Sequence, residues 1–265
     1  PRSRGLGDVY KRQYIQSGAN VITTNSYAVV PFHIGEARFA AEGQALAALA
    51  GELARRAVQA SSQTVRVAGS LPPLFGSYRP DLFEAGRVSE LLTPLVNGLA
   101  PHVDLWLAET QSSIVEARAI HAGLPQDGKP FWLSFTLKDE DTDEVPRLRS
   151  GEPVADAAEA AAQLGVAVLL FNCSQPEVIG AAIDTARQTF ERLGVSIQIG
   201  AYANAFPPQP KEATANDGLD PLRDDLDPPG YLHWAADWQA RGASHLGGCC
   251  GIGPEHIAVL AQKLA

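Results

Sequence analysis

The sequence predicts an α/β fold, a (β/α)8 TIM barrel lacking its native first strand. Three observations predict it. Short apolar runs alternate with long alanine-rich amphipathic ones, several long runs end in a glycine suited to stopping a helix, and polar residues gather at the C-terminal ends of the short runs. The short runs are VITTN (21–25), VRVAGS (65–70), LWLAET (105–110), FWLSFTL (131–137), VAVLLFNC (166–173), SIQIGAYAN (196–204) and HLGGCC (245–250). Most are rich in β-branched, aliphatic or aromatic residues and bounded by Gly, Pro or polar residues, as buried strands are. Helical segments lie between them, among them 36–60, 153–165 and 176–194, the last two closing on Gly165 and Gly194. Strand followed by helix, repeated, means parallel strands joined by crossover helices.

Seven strands fit a doubly wound open sheet or an eight-stranded barrel short of one. Asn25, Ser70, Glu109, Asn172, Cys173, Asn204, Cys249 and Cys250 stand at the ends of most of the strands. A barrel builds its active face from such a ring of strand ends, whereas an open sheet concentrates them at one switch point. The barrel is the favoured reading. Residues 1–13, PRSRGLGDVYKRQ, show no hydrophobic periodicity and join abruptly to the patterned segment that starts at Tyr14. They read as a non-native leader resembling translated adapter sequence, in the place of the missing first strand, with the barrel domain spanning 14–265.

Composition excludes several function classes. Of 265 residues 45% are hydrophobic and 19% charged, which suits a globular chain with a large core. The formal net charge of −9 disfavours a nucleic-acid partner. No apolar run approaches the roughly 20 residues that cross a bilayer, and three cysteines do not make a secreted disulfide framework, so a cytoplasmic location is expected. Two loops stand out. Residues 138–150, KDEDTDEVPRLRS, read as a solvated surface loop, and the long Pro-rich segment at 205–230 reads as partial cover for a site.

All three cysteines fall at strand ends, in Asn172-Cys173-Ser174 and Gly247-Gly248-Cys249-Cys250-Gly251. Cys249 and Cys250 do not suit a mutual disulfide, because adjacent Cα atoms lie about 3.8 Å apart against the roughly 4.4–6.8 Å that disulfides need. Neighbouring side chains in a regular strand point to opposite faces, but the surrounding glycines permit a turn that brings both to one ion. With Cys173 they make three thiolates at one rim, and three protein ligands with one open position is the catalytic arrangement of zinc. The alternatives are a small buried hydrophobe at Cys173 and a redox pair, although redox pairs favour Cys-x-x-Cys spacing.

Asn172-Cys173-Ser174 followed by GGCCGIGPEHI (247–257) resembles the signature of the homocysteine S-methyltransferase family, and the resemblance extends to GANVITTNSYAV (18–29), AGSLPPLFGSY (68–78) and LAET (107–110). It implies a (β/α)8 barrel with Zn2+ held by Cys173, Cys249 and Cys250, and Glu109 meeting the ammonium of homocysteine. Asn25 and Asn172 are candidate amide contacts on the rim, with Thr24 and Ser70 weaker ones; each could instead hold a loop, and Glu109 could cap a helix. His245 and His256 read as core or surface residues. One departure is that the Asp-Gly-Gly type motif with which family members begin is absent here.

The implied reaction is methyl transfer from a sulfonium donor, S-methylmethionine or S-adenosylmethionine, to zinc-bound homocysteine thiolate, giving methionine. The partners are then small molecules. One barrel leaves no room for cobalamin or folate modules, which favours a self-contained donor. A betaine-dependent enzyme and a non-catalytic or degenerate zinc- or thiol-binding barrel are the alternatives. An α/β oxidoreductase is disfavoured, because no glycine-rich phosphate loop follows an early strand.

Overall fold

The computed structural model describes residues 4–139, 145–207 and 221–264. Among these residues seven strands form one sheet: β1 (Val21–Thr23), β2 (Arg66–Leu71), β3 (Leu105–Gln111), β4 (Phe131–Phe135), β5 (Val168–Asn172), β6 (Gln198–Tyr202) and β7 (His245–Leu246). The spatial order is the chain order, and every neighbouring pair is parallel. An order that never reverses has no switch point, so the sheet curls one way with its helices outside, as a barrel does. Among the described residues β1 and β7 do not pair with each other, and the ring is open there.

The helices are α1 (Arg4–Gln16), α2 (Pro31–Ile34), α3 (Glu36–Gln59), α4 (Val88–Leu99), α5 (Ile114–Ala122), α6 (Val154–Gln163), α7 (Pro176–Leu193), α8 (Pro228–Ala240) and α9 (Pro254–Leu264). Pro176 opens α7, where its missing N–H costs nothing, and Gly194 closes it in the left-handed conformation (φ 67°). α1 runs through the boundary read at Tyr14. It packs against α3 and α9 beside the opening, and the Tyr14 hydroxyl donates to the Ile252 carbonyl at 2.9 Å.

Two cores follow from the period of 2 along each strand. Side chains facing out meet the helices in one large core. Those facing in, Ala68, Leu105, Leu107, Trp132, Val168 and Leu170, with Val21 and Tyr202 against them, fill the inside of the curl. Continuing the same alternation towards the C-terminal ends places Ser70, Glu109, Ser134 and Asn172 next on the inner face. The interior thus changes from an apolar floor to a polar upper layer.

The expectation for 138–150 needs correcting at its ends. Leu137 pairs with Leu148 and Arg147 with Pro153 in antiparallel bridges. Asp139 and Arg149 form an ion pair of 2.7 Å whose side chains are only 0% and 5% exposed. Local charge suggested solvent, whereas the bridges fold the two ends of the loop inward. Of the Pro-rich loop at 205–230, residues 208–220 lie outside the described residues, so its role as a cover does too.

α4 sits on α3 through Gly98. A Cβ there would stand 2.5 Å from the Gln44 carbonyl oxygen and 2.8 Å from the Ala48 nitrogen, both backbone atoms that cannot rotate away. Gly98→Ala should therefore destabilise the fold by about 1–3 kcal/mol through overpacking, although alanine is the better helix former. Urea unfolding should show a lower midpoint at unchanged slope; a higher midpoint would contradict this packing.

Candidate metal centre

The site stands where the C-terminal ends of β5, β6 and β7 meet. Past Asn172 the chain turns at Cys173, which adopts φ 51°, a left-handed conformation uncommon for a side chain of this kind. Local hydrogen bonds hold the turn. Cys173 N–H donates to the Tyr202 carbonyl (3.2 Å), the Thr136 hydroxyl to the Cys173 carbonyl (3.3 Å), and the Ser174 hydroxyl to the Asn172 carbonyl (3.0 Å). On the other side β7 ends after Leu246, four residues short of the run read from sequence. Gly248 is needed there, because a Cβ would fall 2.1 Å from Ile252. The freed segment is pinned by Cys249 N–H to the Ala203 carbonyl (2.9 Å) and Ala205 N–H to the Cys250 carbonyl (2.9 Å). Tyr231 adds a bridge, accepting from Ala203 N–H (3.1 Å) and donating to the Gly247 carbonyl (2.7 Å).

These turns bring the three sulfurs together, all within 4.8 Å of one another. Cys173 Sγ lies 2.7 Å from Cys249 Sγ, and Cys249 Sγ lies 4.0 Å from Cys250 Sγ. All three are free thiols. A tetrahedral zinc with bonds of about 2.3 Å spaces its sulfurs about 3.8 Å apart. The cluster brackets that spacing, and an ion would spread the closer pair, so the donor set fits a soft or borderline metal.

The thiols are electrostatically unequal. Hydrogen bonds from Cys173 first and Cys249 second stabilise a thiolate at Cys250, whose pKa falls to about 3. The Cys249 pKa is pushed well up by its sulfur neighbours, Cys173 first, and then by burial. Burial first and then a charge on Cys173 raise the pKa values of half-buried Tyr27 and Tyr78; for half-buried Tyr202 the Glu109 charge follows burial, with Cys249 and Cys173 after it. Tyr78 also takes a left-handed backbone (φ 64°).

Glu109 lies on the inner face of β3 with its carboxylate buried. One oxygen accepts from the Ser70 hydroxyl and the other from the Tyr202 hydroxyl at 3.4 Å. Burial raises its pKa, against the pull of Ser70, Lys11 and Tyr202. It does not cap a helix, since Ser113 caps α5 with Glu116. Lys11 of α1 donates to the Thr23 hydroxyl at 3.4 Å; burial lowers its pKa to about 8, and the Glu109 charge opposes the shift.

Asn172 and Thr24 are hydrogen-bonded within this layer. Asn172 accepts from Thr110 N–H (3.1 Å) and the Ser134 hydroxyl (2.6 Å), and donates to the Thr110 hydroxyl (2.8 Å). It thereby holds Thr110, next to Glu109, at φ 59°. The Thr24 hydroxyl accepts from Ser70 N–H (2.9 Å) and bonds Ser26 (2.8 Å). Asn25 is exposed, two residues beyond β1. His256 is a structural side chain, with Gly253 N–H on Nδ1 (3.1 Å) and the Leu226 carbonyl at Nε2 (3.0 Å). His245 packs edge-on to Trp132 at 4.8 Å. Sequence reasoning missed the three tyrosines. Tyr27 and Tyr78 lie inside the segments 18–29 and 68–78, but nothing local marks them as neighbours of the thiols.

In metal-free protein Cys250 should be alkylated by iodoacetamide before Cys173 and Cys249. It should keep reacting at about pH 5, where an ordinary thiol of pKa about 8.5 is silent. Peptide mapping reads the order, and earlier labelling of buried Cys173 would contradict this charge assignment.

Comparison with known proteins agrees with this geometry. The family described as Homocysteine S-methyltransferase matches residues 8–264. Homocysteine S-methyltransferase of Escherichia coli K12 is 29% identical, over 94% of this chain and 81% of that protein. Homocysteine S-methyltransferase 3 of Arabidopsis thaliana is 27% identical, over 95% and 78%. The metallated form of the homocysteine methyltransferase MmuM from Escherichia coli superposes with a TM-score of 0.74 at 27% identity, covering 97% of this chain and 83% of that one. With a matching family over nearly its whole length, the chain belongs to the homocysteine S-methyltransferase family.

Proposed function

We propose that this protein transfers a methyl group from a sulfonium donor, S-methylmethionine or S-adenosylmethionine, to L-homocysteine held as a thiolate at a zinc ion, giving methionine. The observation that carries the reading is the convergence of Cys173, Cys249 and Cys250 within 4.8 Å at the mouth of the curled sheet. A zinc ion held by these cysteines would supply the acidity that turns an incoming thiol into a thiolate.

The chain's residues account for the rest. The three cysteines would hold the ion. Glu109 would take the substrate ammonium, and the hydroxyls of Ser70 and Tyr202 keep its two oxygens apart and aimed. Asn172 and Thr24 act behind it, fixing the loops on which Glu109 and Ser70 depend. Tyr27 and Tyr202 are neighbours of the sulfurs, which supports a cationic donor, since aromatic faces attract cations. The homocysteine sulfur gives its lone pair to the methyl carbon as the donor's carbon–sulfur bond breaks, and the donor sulfur keeps that pair and becomes a neutral thioether. Positioning is the protein's main contribution. The free thiols suit a reducing cytoplasm, and no helix among the described residues is long and apolar enough to cross a membrane.

Cys249→Ser should abolish tight zinc binding and methionine formation together; activity retained without metal would refute the mechanism. Glu109→Gln should raise KM for homocysteine by about 10–100-fold, the loss of a charge-assisted hydrogen bond of about 1.5–3 kcal/mol, with a smaller effect on kcat. Glu109 must be charged to hold an ammonium, and burial raises its pKa. In the wild type kcat/KM for homocysteine should therefore fall as pH drops through that raised value, and Glu109→Gln should remove this limb of the profile. An unchanged limb would reassign the anchor.

A further inference from the structure

We infer that the buried Asp139–Arg149 ion pair is a positioning device for the Cys173 corner of the metal centre, a role that rests on the metal reading above. The pair grips that corner from two directions. Arg149 Nη2 meets Asp139 Oδ1 at 2.7 Å, with both side chains almost wholly withdrawn from solvent. The other carboxylate oxygen, Asp139 Oδ2, accepts from Gln175 N–H at 3.1 Å, two residues beyond Cys173. The guanidinium meanwhile lies over Tyr78, 5.0 Å from the ring centroid, and Tyr78 is a neighbour of Cys173, whose charge, after burial, raises the tyrosine pKa. The backbone repeats the connection, since Arg149 N–H donates to the Thr136 carbonyl (3.2 Å) while the Thr136 hydroxyl donates to that of Cys173 (3.3 Å).

Two of the residues so held, Tyr78 and Cys173, have left-handed backbones. Such conformations persist only where the surroundings over-determine them. A buried ion pair adds little net stability, because desolvation offsets the attraction; what it does supply is fixed geometry. Here the geometry is that of Cys173, the one metal-ligating residue that does not come from the glycine-rich segment at 247–251. Arginine suits the position, because its planar guanidinium can pair with a carboxylate along its edge while its face lies over a ring.

The test uses the full chain loaded with zinc or with cobalt(II), whose sulfur-to-metal charge-transfer absorption reports the thiolate set without any turnover. In the variant Asp139→Asn with Arg149→Gln both charges leave together and none is stranded. It should keep the wild-type circular dichroism spectrum, bind zinc about 10–100-fold more weakly in a chelator competition, as changes behind a metal ligand do, and show an altered cobalt band. Arg149→Lys keeps the ion pair but not the planar face over Tyr78, and should show a smaller loss with the band changed in the same sense. If the double variant does not fold, Arg149→Lys decides: affinity and band both at wild-type values overturn the inference. The same result in a folded double variant overturns it too. A wild type that binds neither metal sinks the metal reading itself, and this inference with it.

Discussion

Both halves of the thiol cluster hang on one strand. Strands two apart in a sheet are about 9–10 Å from each other, yet the sulfurs that follow β5 and β7 lie within 4.8 Å. The end of β6 resolves this. Tyr202 offers its carbonyl to Cys173 N–H on one side, and the next residue, Ala203, offers its own to Cys249 N–H on the other. Successive carbonyls of an extended chain point in opposite directions, so a single β6 end carries both cysteines and lets them lean across it. The left-handed turn at Cys173 and the glycines around Cys249 supply the lean. A strained residue of this kind costs about 1–3 kcal/mol, and the hydrogen bonds around Thr136, Ser174 and Tyr231 offset it.

The polar layer obeys the same geometry. Alternation along β3 places Leu105, Leu107 and Glu109 on one inner line, and along β5 it places Val168, Leu170 and Asn172. Each line begins apolar and ends in a hydrogen-bonding group. An acid at the top of an apolar floor is buried by its neighbours, and this is why the Glu109 carboxyl is pushed up. The Ser70 hydroxyl keeps it from being left without a partner.

The seven strands and the main helices were legible because periods of 2 and 3.6 are properties of the chain alone. Helix ends at Gly165 and Gly194 were legible for a similar reason, since both glycines take positive φ. The three cysteines were legible as a set through their placement at strand ends and the family resemblance. The hydrogen bonds that Asn172, Thr24 and Ser70 make to their neighbours were not, because a polar residue on the rim looks the same in sequence whether it touches a ligand or bonds its neighbour. Arg149 and Asp139 were invisible for a stronger reason. They belong to a charged run, and only the bridges at Leu137–Leu148 and Arg147–Pro153 decide that these two face inward. The extent of β7 was overread, because the residues that place the sulfurs must leave the strand to do so.

The shortness of the outermost strands has a consequence for the behaviour of the protein at high concentration. β1 offers three residues and β7 two along their outer margins. A free margin invites another copy to dock when it is long, flat and apolar. Margins this brief present too few unsatisfied amides to template cross-β stacking, so a sheet left open between β1 and β7 among the described residues can still resist clumping.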